Sequence, residues 1–398
     1  MKVFFYRYGS VCEPDIIEAF NELGLDIVQE TKEITLKDLI PSEVVKLVSS
    51  RLQNEMCDFA FSVNFFPALS EVCRIYNIPY LSWTVDSPVL ELFTESIKNN
   101  INRIFLFDKA QYREVKALNP ACAFHLPLAA NPVTKDKVTG STSDSLKKRF
   151  ANDVAFVGSL YTEKSPYDRL DKRKVPKDML GFMDGLMASQ ELIYGYYLPD
   201  EVITDELAKR FASYCEYFRP QFSTLHDTDY LTDKILLSQF YIGNAITARE
   251  RVHLAARLSE RLDIYTASDT SKIPRVRNKG TVKTIEEMPL VFSESKINLN
   301  FPTRAIRTGV SFRIFDVLSS GGFLLTNYQE ELSELFEAGR DLDAYGSPEE
   351  MEQLISYYLS HEKERKEIAR NGYETVRAHH TFTIRMEQML KLAFAPAS

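Results

Sequence analysis

The chain has 398 residues, enough for two domains with cores of their own, and 44% of them are hydrophobic. Its 56 acidic and 48 basic residues leave a formal charge of −8, which argues against a general nucleic-acid binder. Five cysteines (Cys12, Cys57, Cys73, Cys122, Cys215) follow no C-x-x-C or regular spacing, so they read as reduced thiols and not as a disulfide frame, metal site or nucleophile.

The opening MKVFFYRYGS has too short an apolar run before Arg7 for a signal peptide. No stretch reaches the roughly 18–20 apolar residues of a membrane span, so a cytoplasmic protein without a transmembrane segment is expected. Val3–Tyr6, Leu25–Val28, Phe59–Val63, Tyr80–Val85 and Ile104–Phe107 then read as strands, alternating with helices over Pro14–Leu23, Ser42–Asn54 and Ala68–Tyr76. Such alternation implies a parallel sheet covered on both faces, with ligand positions in the loops Tyr8–Ser10, Asn64–Phe66 and Asp86–Pro88. Asp86, in WTVDSP, has two readings: a general base facing a cleft, or the N-cap of a following helix. His125, in FHLPLAANP, falls near a hinge and reads as structural.

Around 127–150 the alternation stops, and Pro127, Pro132 and the polar run Thr139–Ser145 read as an interdomain connection. The expected division is a first domain over 1–135 and a second over 150–382. The second opens with a strand at Asp153–Val157, followed by Gly158–Ser159, which is either an ordinary turn or a close approach of the backbone to a phosphate. Few strand signals occur over about 163–245, so a helical insertion is expected there. A helix over 247–261 and strands at Leu262–Ala267 and Lys296–Asn300 resume the pattern, and helices at Glu349–Leu359, Glu362–Arg377 and Thr383–Phe394 end it. Arg251 shares the first of these helices with Arg249 and His253 and reads as solvated. The fold class is α/β, two Rossmann-like domains facing across a cleft.

The stretch Ser295–Asn327 concentrates the chemistry. A strand ending at Phe301 leads into a turn with Arg304, Arg307, Thr308 and Gly309. Ser311 is the expected N-cap of a helix over Phe312–Leu318, and Gly321–Gly322 precedes another buried strand. Arginines beside a helix start favour a phosphate or carboxylate. Arg313 and Asp316, three apart, share one helix face, where they are either a surface ion pair or a ribose- and phosphate-binding couple. Asp227–Thr228–Asp229 and Asp341–Leu342–Asp343 match a D-x-D metal motif only superficially, since neither follows a convincing strand, and no metal site is assigned.

This segment resembles the donor-binding region of GT-B glycosyltransferases of the "group 1" kind, and among them the CgeB-like, spore-maturation branch. The likeness continues through Tyr345–Ser347–Pro348–Glu349, Tyr357–Tyr358–Leu359, Ile368–Ala369–Arg370–Asn371–Gly372 and His380–Thr381 before Arg385. In the first half it covers Ser82–Trp83–Thr84–Val85–Asp86–Ser87–Pro88, Phe105–Leu106–Phe107–Asp108 and His125–Leu126–Pro127–Leu128–Ala129–Ala130–Asn131. The resemblance implies a metal-independent, hexosyltransferase-type enzyme without a cofactor. A nucleotide-diphosphate sugar would be held by Gly158, Ser159, Arg304, Arg307, Thr308, Gly309, Ser311, Arg313 and Asp316, and Asp86 would face the acceptor. It also implies that 383–398 cross back to the first domain, and, by analogy, a surface protein or polysaccharide as acceptor. Retaining members of the wider group carry two spaced glutamates; here Thr308 and Asp316 stand in those places, which leaves the stereochemistry open. A nucleotide-sugar epimerase and a catalytically silent scaffold of the same architecture are the alternatives.

Overall fold

The computed structural model describes residues 1–37, 39–219 and 230–395. The chain forms two compact units, each built on a six-stranded, all-parallel sheet. One unit takes Met1–Leu128 together with the described parts of Arg219–Thr232 and Phe382–Ser398; the other takes Ala129–Phe218 and Asp233–Thr381.

The first sheet contains β1 (Lys2–Tyr6), β2 (Asp26–Glu30), β3 (Phe59–Val63), β4 (Tyr80–Thr84), β5 (Asn102–Leu106) and β6 (Ala123–His125), in the order β2-β1-β3-β4-β5-β6. Every residue of β3 and β4 is buried, which is why these strands read as near-continuous apolar runs without polar alternation. Phe5, Phe20 and Phe61 meet edge to face, Phe5 and Phe20 lying 4.9 and 5.2 Å from Phe61, and so join the sheet to the helix Glu13–Glu22. The order of strands reverses direction between β1 and β3, the place where a doubly wound sheet opens a crevice at its carboxyl ends. The last helix, Phe382–Ala393, belongs to this unit: Phe382 packs on Trp83, Phe394 on Phe59, and Arg385 Nε donates to the carbonyls of Pro127 and Leu128 at 3.0 and 3.1 Å.

The second sheet contains β7 (Val154–Val157), β8 (Asp263–Tyr265), β9 (Arg277–Asn278), β10 (Ile297–Asn300), β11 (Leu324–Asn327) and β12 (Asp343–Tyr345), in the order β12-β11-β10-β7-β8-β9. Its reversal lies between β7 and β10. The described residues of the crossover from β7 to β8 form helices joined by loops, and it closes with a π-helical segment, Leu236–Ile242, running into the helix Gly243–Leu258. Tyr230–Thr232, inside that crossover, belongs to the first unit, so the inserted stretch is shared between the two.

Three strands escaped the sequence reading, and each for a reason. β6 and β12 are three residues long, too short for a period to show, and β9 is two exposed polar residues at a sheet edge. His125 sits in a strand close to the division between the units after Leu128, with its Nε2 3.3 Å from the carbonyl of Phe107. The stretch after Pro127 holds a helix not expected from the sequence, Pro132–Ser141, with proline in its first turn and Asn131 as its N-cap, accepting the Thr134 N–H at 3.3 Å. Later, Ser347 and Glu350 form a capping pair at the start of Pro348–Ser360. The serine hydroxyl accepts the Glu350 N–H, and the glutamate accepts the Gly346 N–H at 2.6 Å.

Two glycines are fixed by close approach. A Cβ on Gly322 would lie 2.5 Å from the Phe292 carbonyl oxygen, and one on Gly372 would lie 2.1 Å from that of Asp341. Helix propensity alone would favour Gly372→Ala by about 1 kcal/mol. The expected outcome is instead a loss of about 1–3 kcal/mol from overpacking between Glu362–His379 and the Asp341 backbone, read from urea unfolding.

Candidate functional site

At the carboxyl end of β7, Gly158 has φ +155°, and a Cβ there would press on the Phe156 ring at 3.3 Å. The turn that follows is stitched locally: Ser159 Oγ donates to Glu163 at 2.7 Å and accepts the Tyr161 N–H at 2.8 Å, while the Leu160 N–H reaches Ser268 Oγ at 2.8 Å. The Ser159 carbonyl takes Nη1 of Arg251 at 2.6 Å. The same guanidinium donates through Nε to the Phe301 carbonyl at 2.8 Å, and Nη2 donates to that oxygen as well. Arg251 thus spans the ends of β7 and β10, beside the reversal of strand order. It lies 9% exposed, against the ring of Tyr161, and makes no ion pair with a carboxylate among the described residues. Burial pushes its guanidinium down to about 10; Arg313 adds to that, while Tyr161 and Glu250 oppose it, so the group stays charged at neutral pH. Sequence reasoning left Arg251 as a solvated side chain. The signal available was its spacing from Thr247 and Leu254 on one helix face, which the flanking Arg249 and His253 obscured.

The basic turn has a different character from the one expected. Arg304 is buried and gives Nε and Nη2 to the two oxygens of Glu250 at 2.7 and 2.6 Å, with Nη1 on the Ile193 carbonyl at 3.0 Å. Its backbone N–H donates to Thr247 Oγ1 at 2.8 Å. Arg307 Nη1 donates to Asp200 at 2.7 Å. Thr308 Oγ1 donates to Glu331 at 2.7 Å, and Gly309 is buried beside it. Arg304 and Arg307 therefore anchor the turn on its inner side, whereas Arg251 has no carboxylate partner among the described residues.

Ser311 takes the N-cap position of the helix Phe312–Ser319, as the sequence indicates, but its hydroxyl caps nothing; Asn300 Nδ2 approaches it at 3.5 Å. A helix start of this kind favours an anion through its backbone N–H groups and dipole. Arg313 lies against Phe292, with Nη1 2.9 Å from Met288 Sδ and 3.3 Å from Asp316 Oδ2; burial lowers its pKa and Asp316 opposes the shift. Asp316 also has Lys135 Nζ at 3.8 Å, a partner the sequence gave no reason to suspect because it comes from the helix after Asn131. Both side chains of the Arg313–Asp316 pair are about one-quarter exposed, at 25% and 24%, so the carboxylate remains open to a ligand.

In the first unit, loops after β1, β3 and β4 are tied by Asn64, whose backbone is left-handed at φ +57°. Its Oδ1 accepts the Val85 N–H at 3.0 Å, and its Nδ2 donates to Tyr8 Oη at 3.0 Å and to Asp86 Oδ2 at 2.8 Å. Asp86 is exposed and caps no helix: the next helical turn begins at Leu90, with Val89 before it. Burial, then the charge of Asp86, raises the Tyr8 phenol. In the D-x-D sequence Asp341–Leu342–Asp343 both carboxylates have partners within the second unit. Asp341 accepts from Thr375 at 2.9 Å and from the Glu337 N–H, and Asp343 from Tyr358 at 2.7 Å, while 227–229 lie outside the described residues. His380 is buried against Phe315 and Phe336, a packing role.

Residues 245–391 match a family model described as glycosyl transferase-like, a stretch that contains Arg251, Arg304 and Asp316 but neither Gly158 nor Asp86. No curated protein matches the chain. Among solved structures, Anabaena HepE in complex with UDP-glucose is similar at 12% identity over 98% of each chain, with a TM-score of 0.53. Sucrose-phosphate synthase from Thermosynechococcus elongatus is similar at 10% identity over 100% of both chains, with a TM-score of 0.52. A glycosyltransferase from Rickettsia africae follows at 10% identity over 98% and 97%, with a TM-score of 0.51. The chain has the two-domain α/β GT-B fold of these structures.

The buried pair that anchors the basic turn predicts an asymmetric response. Glu250→Ala leaves the Arg304 charge buried without its partner and is expected to cost about 3–5 kcal/mol in denaturant unfolding. Glu250→Ala combined with Arg304→Ala is expected to lose less than the sum of the single changes; strict additivity would show that the two groups do not act as a pair.

Proposed function

We propose that the protein is a glycosyltransferase that takes its sugar from a nucleotide-diphosphate donor held by the second unit. The observation that carries the reading is Arg251: a buried, charged guanidinium at the β7–β10 reversal whose only hydrogen-bond partners among the described residues are carbonyl oxygens. A cation held this way has lost water and gained no counter-charge, so an anionic ligand at the same edge is stabilised more than it would be in solvent. The positive end of the Phe312–Ser319 helix dipole adds a second attraction for phosphate. Support also comes from the family match over 245–391 and from the UDP-glucose in the similar HepE structure.

The chemistry follows from those placements. Departure of the sugar leaves charge on the nucleoside diphosphate. Arg251 and the helix start favour that charge in the transition state, the electrostatic contribution that usually dominates such a step. Gly158, without a side chain after β7, is the candidate for close backbone approach to the diphosphate. Asp316 accepts the ribose hydroxyls, its Arg313 and Lys135 neighbours holding the carboxylate in place. Asp86 is the candidate base that takes the proton of the attacking acceptor hydroxyl, positioned by Asn64. Fixed cations at the leaving group make the reaction metal-independent in this reading. The finer assignments rest on the resemblance: a hexosyl donor, the CgeB-like branch, a cytoplasmic setting and, by analogy alone, a surface protein or polysaccharide as acceptor.

Isothermal titration separates this reading from an ordinary surface ion pair. Asp316→Ala is expected to weaken nucleoside diphosphate and nucleotide sugar alike by about ten- to a hundredfold, the worth of roughly 1.5–3 kcal/mol for a hydrogen bond to a charged group. Unchanged affinity for both would retire the donor site.

Turnover supplies an independent check. With a donor and acceptor in hand, Asp86→Asn is expected to lower kcat by about a hundredfold or more with donor affinity retained, and wild-type transfer is expected to persist in excess EDTA. Transfer that stops on chelation and returns with magnesium would replace the fixed-cation account of the leaving group.

A further inference from the structure

The first strand–helix turn of the first unit is wrapped around an anion, and the anion is the chain's own. The backbone N–H groups of Tyr8, Gly9 and Ser10 converge on Oε1 of Glu13 at 2.9, 3.0 and 3.1 Å. The other oxygen takes Nε of Arg7 at 2.9 Å, and the Glu13 carboxylate is wholly buried. Gly9 supplies the left-handed residue that lets three successive N–H groups point inward, with φ +91°, and Lys37 Nζ pins the turn from outside through the Tyr8 carbonyl at 2.9 Å. Three consecutive amides on one oxygen form the concavity that elsewhere receives phosphate. This one lies after β1, next to the β1–β3 reversal, where a doubly wound sheet presents such a concavity to a ligand.

We propose that Glu13 is a tethered anion that fills the phosphate position of the first unit. That unit then takes its ligand without a phosphate at this turn. The groups left facing the ligand are Tyr8 Oη, Asn64 and Asp86, which suit the hydroxyls of an uncharged molecule and repel a phosphate. The inference concerns occupancy of the turn and stands whether or not the protein transfers sugars.

The test uses the full chain and inorganic phosphate as the probe, with sodium chloride at matched ionic strength as the control. Glu13→Ala empties the turn, and saturating phosphate is expected to raise its Tm by about 2–4 °C, with acetate acting in the same direction. The wild type and Glu13→Gln, whose amide oxygen still occupies the turn, are expected not to respond. An equal response of all three proteins, or no response of Glu13→Ala to either anion, overturns the proposal. If Glu13→Ala does not fold unaided, its refolding yield in phosphate or acetate is compared with that in chloride. A higher yield supports the tethered-anion account, and equal yields overturn it.

Discussion

The carboxyl-terminal edge of the second sheet depends on how two buried guanidinium groups are satisfied. Arg304 is given a full counter-charge by Glu250, and Arg251 is given only carbonyl oxygens. Both arrangements run through one face of the helix Gly243–Leu258, where Thr247, Glu250 and Arg251 follow each other at helical spacing. Thr247 and Glu250 hold the Arg304 turn from below, and Arg251 locks the ends of β7 and β10 together. The turn that follows Phe301 is consequently held by buried hydrogen bonds to that helix.

Charge is distributed oppositely in the two units. In the second, a buried cation bonded only to carbonyl oxygens among the described residues stands at the point of strand reversal. In the first, the equivalent point is already filled by Glu13, and what surrounds it is a phenol, an amide and a carboxylate. A donor with a diphosphate and an acceptor with a hydroxyl call for this division of labour. In the proposed transfer, the second unit stabilises charge that develops on the leaving group, and the first orients the acceptor hydroxyl and takes its proton.

Much of the fold was legible because the strands of a sheet covered on both faces are buried throughout and largely apolar, as in Phe59–Val63 and Tyr80–Thr84. The helix N-terminus at Ser311 and the stop at Gly321–Gly322 were legible from capping chemistry, although the reason for Gly322, the Phe292 carbonyl 2.5 Å away, is a tertiary contact. The short edge strands β6, β9 and β12 were not legible, since two or three residues carry no period. Nor was the helix Pro132–Ser141, where Pro132 and the polar residues after it pointed to a connection between domains; a proline in the first turn of a helix satisfies the same pattern.

The sequence by itself determined the α/β alternation and the concentration of arginines and a candidate ribose-binding carboxylate between Phe301 and Asp316. It also placed Asp86 at the end of a strand. Only the tertiary structure decided which arginine keeps its charge available. Arg304 meets Glu250 across 54 residues and Arg307 meets Asp200 across 107, while Arg251, distant from the turn in sequence, spans the two strand ends. An arginine looks the same in a sequence whether its charge is neutralised or not. The difference lies in which carboxylates the packing of the chain brings within reach, and long-range partners leave no local pattern to read.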